Sequence, residues 1–436
     1  MEAHTTMIWL YRILYLPLLL IMLPYYVRRM LKRGGYGRDF AHRFGAIKNI
    51  PIRSEKKRIW LHAVSVGELL AVEPLLKAIH DSGYEAVVTT TTSTAYTLLK
   101  DKFKSLCIAG AIFPLDFWPC QSMAFRRIQP DLIVLMEGEL WPELLHRARR
   151  LNLPVILINA RLSDRSYLRY LKCGALSRWL FNQPKHIGAA SQLDLERFQT
   201  LGISRERLTH TGNLKLDKTP PPLLTTEEKN GWLQQFGFPT QPRPLIILGS
   251  STWPGEEVAL VQIAQLLRQN GIDNRVILVP RHAERRHEIE QELHALDIAF
   301  HLRSWKEASP QDCPVYVADT TGELTLITQL SDVVFIGKSL LFNRGGQSPV
   351  EAAALGKPLI FGPDMSNFRN IAEELVQSGA ALQVANAEEL HTQLRWLLTQ
   401  PDKRENCSLQ ALNWHRKNTG ATVRTLDLIR GIIAHP

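Results

Sequence analysis

The chain has 436 residues, 45% hydrophobic and 22% charged, too long for one ordinary core; two domains plus an appendage are predicted. This composition excludes both a disordered chain and a polytopic membrane protein, and five scattered cysteines with no CxxC pair indicate neither a zinc site nor a disulfide framework. Fifty-two Lys and Arg against 42 Asp and Glu give +10, which favours an anionic partner; without an RNP-like, zinc-finger or basic-zipper pattern, this argues for phosphate-bearing lipid and against nucleic acid.

The first element is the run MIWLYRILYLPLLLIMLPYYV, residues 7–27, in which Arg12 is the one charge and whose length suffices for a tilted bilayer span. Tyr25 and Tyr26 suit an interface, and Arg28, Arg29, Lys32, Arg33 and Arg38 form a basic flank expected to stay cytoplasmic. A cleaved signal peptide would carry its positive charge before the apolar run and a small-x-small site after it, so residues 1–33 read as an anchor with its flank. Arg12, Pro17 and Pro24 weaken a straight span and keep open a helix lying in the interface or docked on the body.

Short apolar runs then alternate with amphipathic stretches: RIWLHAV, a helix over Glu68–His80, EAVVTTTT, a helix over Ala95–Phe103, LIVLM, a helix over Glu143–Arg150, and PVILINA. Runs without polar alternation are buried on both faces, as in a parallel sheet covered by crossover helices. The pattern stops near Leu214, where DKTPPPLLTTEEKN has the composition of a connector, and a second series follows: LIILGSS, VILVP, VYVAD, VVFIG and PLIFG. The expected fold is α/β with two Rossmann-like domains, 34–217 and 226–436, joined by a Pro-rich linker at 218–225 and facing a cleft. The last helix has the option of packing back on the first domain.

Ligands of such sheets sit beyond the carboxyl ends of the strands. There HAVSVGE places Glu68 at a helix start, where the dipole favours a carboxylate, although an ordinary first-turn cap has the same signature. After LIVLM, MEGELWPELL puts Glu137 and Glu139 around Gly138, with Pro142 suited to a first helical turn and Trp141 equally suited to a core. In the second half, GSSTWPGEE has the small residues of a phosphate cradle but no Walker lysine, and no GxGxxG occurs. Arg281 and His282 directly follow VILVP; Thr320, Thr321 and Gly322 precede a helix starting near Glu323. A glycine-containing loop, Arg344 to Ser348, leads into Pro349, with Glu351 placed to accept ribose hydroxyls or to act as a cap.

With these pieces in order, the chain resembles, nearly end to end, the family of transferases that add 3-deoxy-D-manno-octulosonic acid (Kdo) to a lipid A precursor. The residues that carry the resemblance are the apolar N-terminal segment, HAVSVGE, MEGELWPELL, GSSTWPGEE, PRH at Pro280–His282, DTTGEL and GGQSPVEAA. The resemblance implies a GT-B fold, the cytoplasmic face of a bacterial inner membrane, CMP-Kdo as donor, lipid IVA as acceptor, and neither metal nor cofactor. It makes Glu68 the general base of an inverting transfer and Glu139 a second functional carboxylate. It also assigns CMP contacts to Pro280, Arg281, Thr321, Gly322, Glu323, Ser348, Pro349, Val350 and Glu351. An exposed Glu68 of ordinary pKa, about 4.3, is expected, hence a weak base helped by positioning.

This chain departs from the family's usual GGHNPLEP at Gln347, Ser348, Val350 and Ala352, and carries Gly138 where Thr is common and Thr321 where Met is usual. These departures bear on nucleotide contacts and acceptor specificity. A GT-B enzyme using a uridine nucleotide sugar shares the same architecture, and a two-lobed sugar-binding protein is the non-enzymatic alternative.

Overall fold

The computed structural model describes residues 2–32, 37–217 and 222–435. Arg33 and connector residues 218–221 lie outside them, as do the side chains of Arg29, Lys32 and Arg38. The chain forms two compact units, Met1–Lys218 with Asn418–Pro436, and Thr219–Lys417.

In the first unit seven strands pair in parallel: β1 (Arg58–His62), β2 (Glu85–Thr90), β3 (Ala109–Ile112), β4 (Leu132–Met136), β5 (Val155–Ala160), β6 (His186–Ala189) and β7 (Leu208–His210), in the order β3-β2-β1-β4-β5-β6-β7. The central strands β1, β4 and β5 are buried at every position, which is why their sequences show no polar alternation. Apolar cores fill both faces of the sheet. The helix Ala421–Ala434 closes one face through Ala421, Leu426, Ile429 and Ile432. Two Asp217 carboxylate oxygens receive its first N–H groups, from Gly420 at 2.7 Å and from Thr422, and so hold the chain's end against this unit.

The second unit repeats the arrangement with β8 (Leu245–Thr252), β9 (Asn274–Pro280), β10 (Phe300–Leu302), β11 (Val315–Val317), β12 (Val333–Ile336), β13 (Leu359–Phe361) and β14 (Ala381–Gln383), ordered β10-β11-β9-β8-β12-β13-β14 and again parallel. Each sheet reverses its winding once, between β1 and β4 and between β8 and β12. Those switch points open a crevice at the carboxyl ends of the strands.

One expected element differs. The helix predicted over Glu68–His80 is two helices, Val66–Ala71 and Glu73–Asp81, broken at Val72. Pro74, in the first turn of the second, lacks an N–H for the Leu70 carbonyl, so a continuous helix would lose that bond and clash there.

The N-terminal helix runs from Glu2 to Lys32, and its stretch Thr6–Arg28 is long and apolar enough, by length and composition, to cross a membrane.

Candidate active site

The first switch point is lined by carboxylates. Glu68 follows β1 on the short helix capped by Ser65, whose Oγ accepts the Glu68 N–H at 3.3 Å and donates to Glu68 Oε1 at 3.0 Å. Glu68 Oε2 accepts the Val64 N–H at 3.0 Å, so the side chain folds back over its own helix start. Its exposure is 9%, contrary to the open position expected from sequence. Burial, reinforced by nearby Glu137, raises its pKa despite the hydrogen bonds from Val64 and Ser65. A base desolvated in this way is stronger than an exposed carboxylate once ionised.

Glu139 comes from the opposite side of the switch point, in the turn between β4 and the helix Pro142–Arg150. That turn is tight: the Glu139 N–H reaches the Met136 carbonyl at 3.1 Å and Glu137 takes a left-handed φ of 55°. Burial, then the charges of Glu68 and Glu137, push the Glu139 pKa up to about 7. Lys215 meets Glu137 Oε1 at 2.9 Å and Arg161 approaches the same atom at 3.9 Å, leaving three carboxylates balanced by two cations. Trp141, partly buried, packs against Phe113 at 5.4 Å between ring centroids and belongs to the core side of the loop.

Beneath them His62, the last residue of β1, is fully buried against Phe113, with ring centroids 3.9 Å apart. Burial drives its pKa down to about 3, so it is neutral; Nδ1 lies 3.0 Å from the Thr89 carbonyl.

The second switch point carries the other group of predicted residues. Pro280 ends β9; Arg281 follows, exposed, its N–H donated to the Thr252 carbonyl at 3.1 Å, with His282 edge-on to Trp253. Thr321 and Gly322 form an exposed turn, and Glu323 is the residue just before the helix Leu324–Leu330. Burial alone would raise Glu323, but two hydrogen bonds from Arg303, both 2.6 Å, and one from Thr320 hold its pKa below the usual range. Glu323 is therefore partnered within the protein, and the exposed groups of that loop are Thr321 and Gly322.

Ser348 is exposed, Pro349 is the residue just before the helix Val350–Ala354, and Glu351 lies in that helix's first turn. Thr325 Oγ1 donates to Glu351 Oε2 at 3.4 Å, which brings the Thr321–Glu323 turn and the Ser348–Glu351 loop together.

The small-residue segment after β8 differs in role from the expected phosphate cradle. Glu256, fully buried, accepts the N–H groups of Trp253, Lys338, Ser339 and Leu340 at 2.9–3.0 Å. The protein's own carboxylate occupies the donors of that region and ties the loops after β8 and β12 into one body. Gly337 is required there: a Cβ would lie 2.3 Å from the Ser251 carbonyl oxygen. Lys338 sits at φ 60° with its ammonium 4.6 Å from the Trp253 ring.

A family model described as 3-deoxy-D-manno-octulosonic-acid transferase (kdotransferase) matches residues 38–218. A 3-deoxy-D-manno-octulosonic acid transferase of Haemophilus influenzae is 32% identical over 429 residues, 97% of this chain and 98% of the relative. The chain belongs to this family. The Bordetella pertussis member is also 32% identical, over 92% of this chain and 94% of its own. Among solved structures, a glycosyltransferase from Rickettsia africae aligns over 88% of this transferase and 100% of its own chain, with TM-score 0.58 and 12% identity. A UDP-GlcNAc 2-epimerase from Neisseria meningitidis aligns over 86% and 100%, with TM-score 0.59 and 14% identity. At such identity they establish the fold, the GT-B pair of Rossmann-like sheets, and the family match makes the chain a glycosyltransferase.

Lys215, Arg161, His62, Glu256 and Arg303 escape a reading of the sequence. Lys215, Arg161 and Arg303 sit in no motif, and His62 and Glu256, although inside HAVSVGE and GSSTWPGEE, carry no local signal of their partners; Lys215 meets Glu137 across 78 positions. Lys338, within the stretch IGKSLL, carries no local signal that its backbone is left-handed.

Proposed function

We propose that this transferase moves Kdo from CMP-Kdo to a lipid A precursor of the lipid IVA type, with inversion, at the cytoplasmic face of the inner membrane. The first Rossmann-like unit takes the acceptor and the second the donor; residues 218–225 link them. Glu68 removes the proton from an acceptor sugar hydroxyl as its oxygen bonds to the anomeric carbon. The bond from that carbon to the CMP phosphate oxygen breaks, and CMP leaves with the electron pair.

The observation that carries the reading is the pair of Glu68, buried, and Glu139, half-buried, flanking the first switch point, in a chain matched end to end by the family. Desolvation raises the basicity of Glu68, while Glu139, titrating near neutrality, is suited to hold a proton against the acceptor without adding another negative charge. On the donor side Arg281, Thr321, Gly322, Ser348 and the start of the Val350–Ala354 helix are assigned to CMP, with Arg281 offsetting charge on the departing phosphate and Glu351 taking the ribose hydroxyls. Pro280, Pro349 and Val350 shape the backbone there, and Glu323 holds its turn through Arg303.

The test is to supply purified protein with a CMP-Kdo generating system and a tetraacylated disaccharide acceptor, and to read the acceptor mass. Gain of one or more Kdo units is expected from the parent, with a loss of at least about 100-fold for Glu68→Gln, in line with removal of a general base. An unchanged acceptor mass refutes the donor and acceptor assignment; parent-level transfer by a folded Glu68→Gln refutes the base.

A further inference from the structure

The N-terminal helix is clamped along the body. Ile8 is 1% exposed, Tyr11 donates to Asp116 Oδ2 at 2.7 Å, and Arg12 grips Glu143 with two hydrogen bonds of 2.7 and 2.8 Å. Tyr15 stacks on Phe117 at 6.3 Å, and Tyr26 packs on the core beneath the Arg43 guanidinium. Positions 8, 11, 12, 15 and 26 fall on one helical face. The contacts fall at Ile8–Tyr15 and again at Tyr26, with Leu16, Leu18, Leu20, Ile21, Met22 and Leu23 exposed between them, and the stretch from Leu16 to Arg28 measures about 20 Å at roughly 1.5 Å per residue, short of the ~30 Å hydrocarbon thickness of a bilayer.

A helix fastened at Ile8–Tyr15 and again at Tyr26 cannot also cross the membrane unless the body follows it into hydrocarbon. The body cannot, because the adjoining helix Pro142–Arg150 exposes Arg149 and Arg150. Freeing the helix instead would strip cover from Asp116 and Glu143, each 2% exposed. The opposite face, including Leu10, Ile13, Leu14, Leu20 and Ile21, is more than half exposed. Beside it a groove of about 800 Å³ is lined by Trp9, Leu16, Phe117 and Trp118, with Arg147 and Arg150 at its basic end.

We infer that the helix lies in the plane of one leaflet, and that its free face with the Trp118–Arg150 edge forms a single surface for anionic phospholipid. Acyl chain meets the apolar groove and phosphate meets Arg147 and Arg150. Apolar residues and tryptophans beside arginines match the two zones of a leaflet, whereas a second copy of this chain would bring like charges together. The inference rests on the membrane-anchoring part of the reading above and refines its geometry.

Two measurements on the full-length protein test it. With an epitope placed before Met1, external protease on intact spheroplasts should leave the epitope whole, and lysis should expose it; cleavage in intact spheroplasts means a span and overturns the inference. In flotation with phosphatidylglycerol-containing vesicles, Trp118→Glu should weaken binding roughly tenfold. Arg150→Glu should weaken it roughly fivefold on anionic vesicles and leave neutral ones unaffected. A spanning helix would be indifferent to Trp118, so parent-like flotation of Trp118→Glu also overturns it. An intact fold is verified by circular dichroism, and the exchange Arg12→Glu with Glu143→Arg should keep parent flotation. If the parent fails to float, or pairs with itself instead, anchoring itself is wrong; if it floats with its N-terminus outside, only the in-plane geometry is.

Discussion

At the scale of single residues the balance of charge around Glu68 sets when the site is active. Burial and the charges of Glu68 and Glu137 push the Glu139 pKa up to about 7, and burial also raises Glu68 above its ordinary range. Transfer needs Glu68 anionic, so kcat/KM should fall as pH drops through the raised Glu68 pKa, with a second inflection near 7 from Glu139. Glu139→Gln should erase the inflection near 7 and leave the one from Glu68. Glu137→Gln removes a negative charge that raises both groups and frees Lys215, so both inflections should move to lower pH. A profile of log kcat/KM against pH checks this, and an inflection near 7 that survives in Glu139→Gln would contradict it. Lys338 gives a simpler test: a non-glycine residue at φ 60° costs about 1–2 kcal/mol, so Lys338→Gly should raise the unfolding free energy by up to about 1 kcal/mol after its extra chain entropy is deducted. Urea denaturation reads that sign. The motifs placed Glu68 and Glu139 at strand ends, but their withdrawal from solvent was not legible, since it depends on the closeness of β1 and β4, whose paired residues, such as Ile59 and Leu132, are far apart in sequence.

At the scale of elements, two buried carboxylates act as pins. Asp116 accepts the Glu143 and Leu144 N–H groups at 2.9 Å each, satisfying the start of the helix Pro142–Arg150 whose own N-cap, Trp141, offers no side-chain bond. Asp116→Ala should cost about 2 kcal/mol, the range for losing a cap together with buried partners, and should loosen the Glu139 turn that precedes the helix. Glu256 pins four N–H groups at the second switch point. Its replacement by Ala leaves several buried donors unpaired at about 1–3 kcal/mol each, an expected loss of at least 3 kcal/mol with weaker CMP binding. Calorimetry of unfolding and of CMP titration reads the two effects; unaltered stability would show that water replaces the carboxylate. Element existence was legible for the long buried strands, where LIVLM and VILVP admit no other reading. The short outer strands β3, β6, β7, β10 and β14 were not. Three or four residues at a sheet edge bury too few side chains to leave a pattern, and β7 exposes two of its three.

At the scale of the whole molecule, the first unit is built from both ends of the chain, and this fixes how it should fail. The helix Ala421–Ala434 fills one face of the first core: Ala421 and Ile429 are fully buried, Ile432 nearly so, and it packs against the helix Glu73–Asp81. The sheet side of that core comprises Ile59, Leu61, Val88 and Val134, which the terminal helix covers together with Leu75, Leu76, Ile79 and Leu99 from earlier helices. Ile429→Ala should therefore cost about 2–5 kcal/mol, the range for deleting a fully buried aliphatic side chain, and the loss should fall on the first unit although the residue follows the second in sequence. Because each unit has its own core, unfolding need not be a single step, and two transitions can be followed separately. Tryptophan at position 60, fully buried in the first unit's core, reports one; CMP protection reports the other. In Ile429→Ala the transition sensed by Trp60 should move to lower urea while the one shifted by CMP stays in place. If both moved together, the two units would unfold as one cooperative body, and the final helix would be stabilising the whole chain instead of the half it packs against.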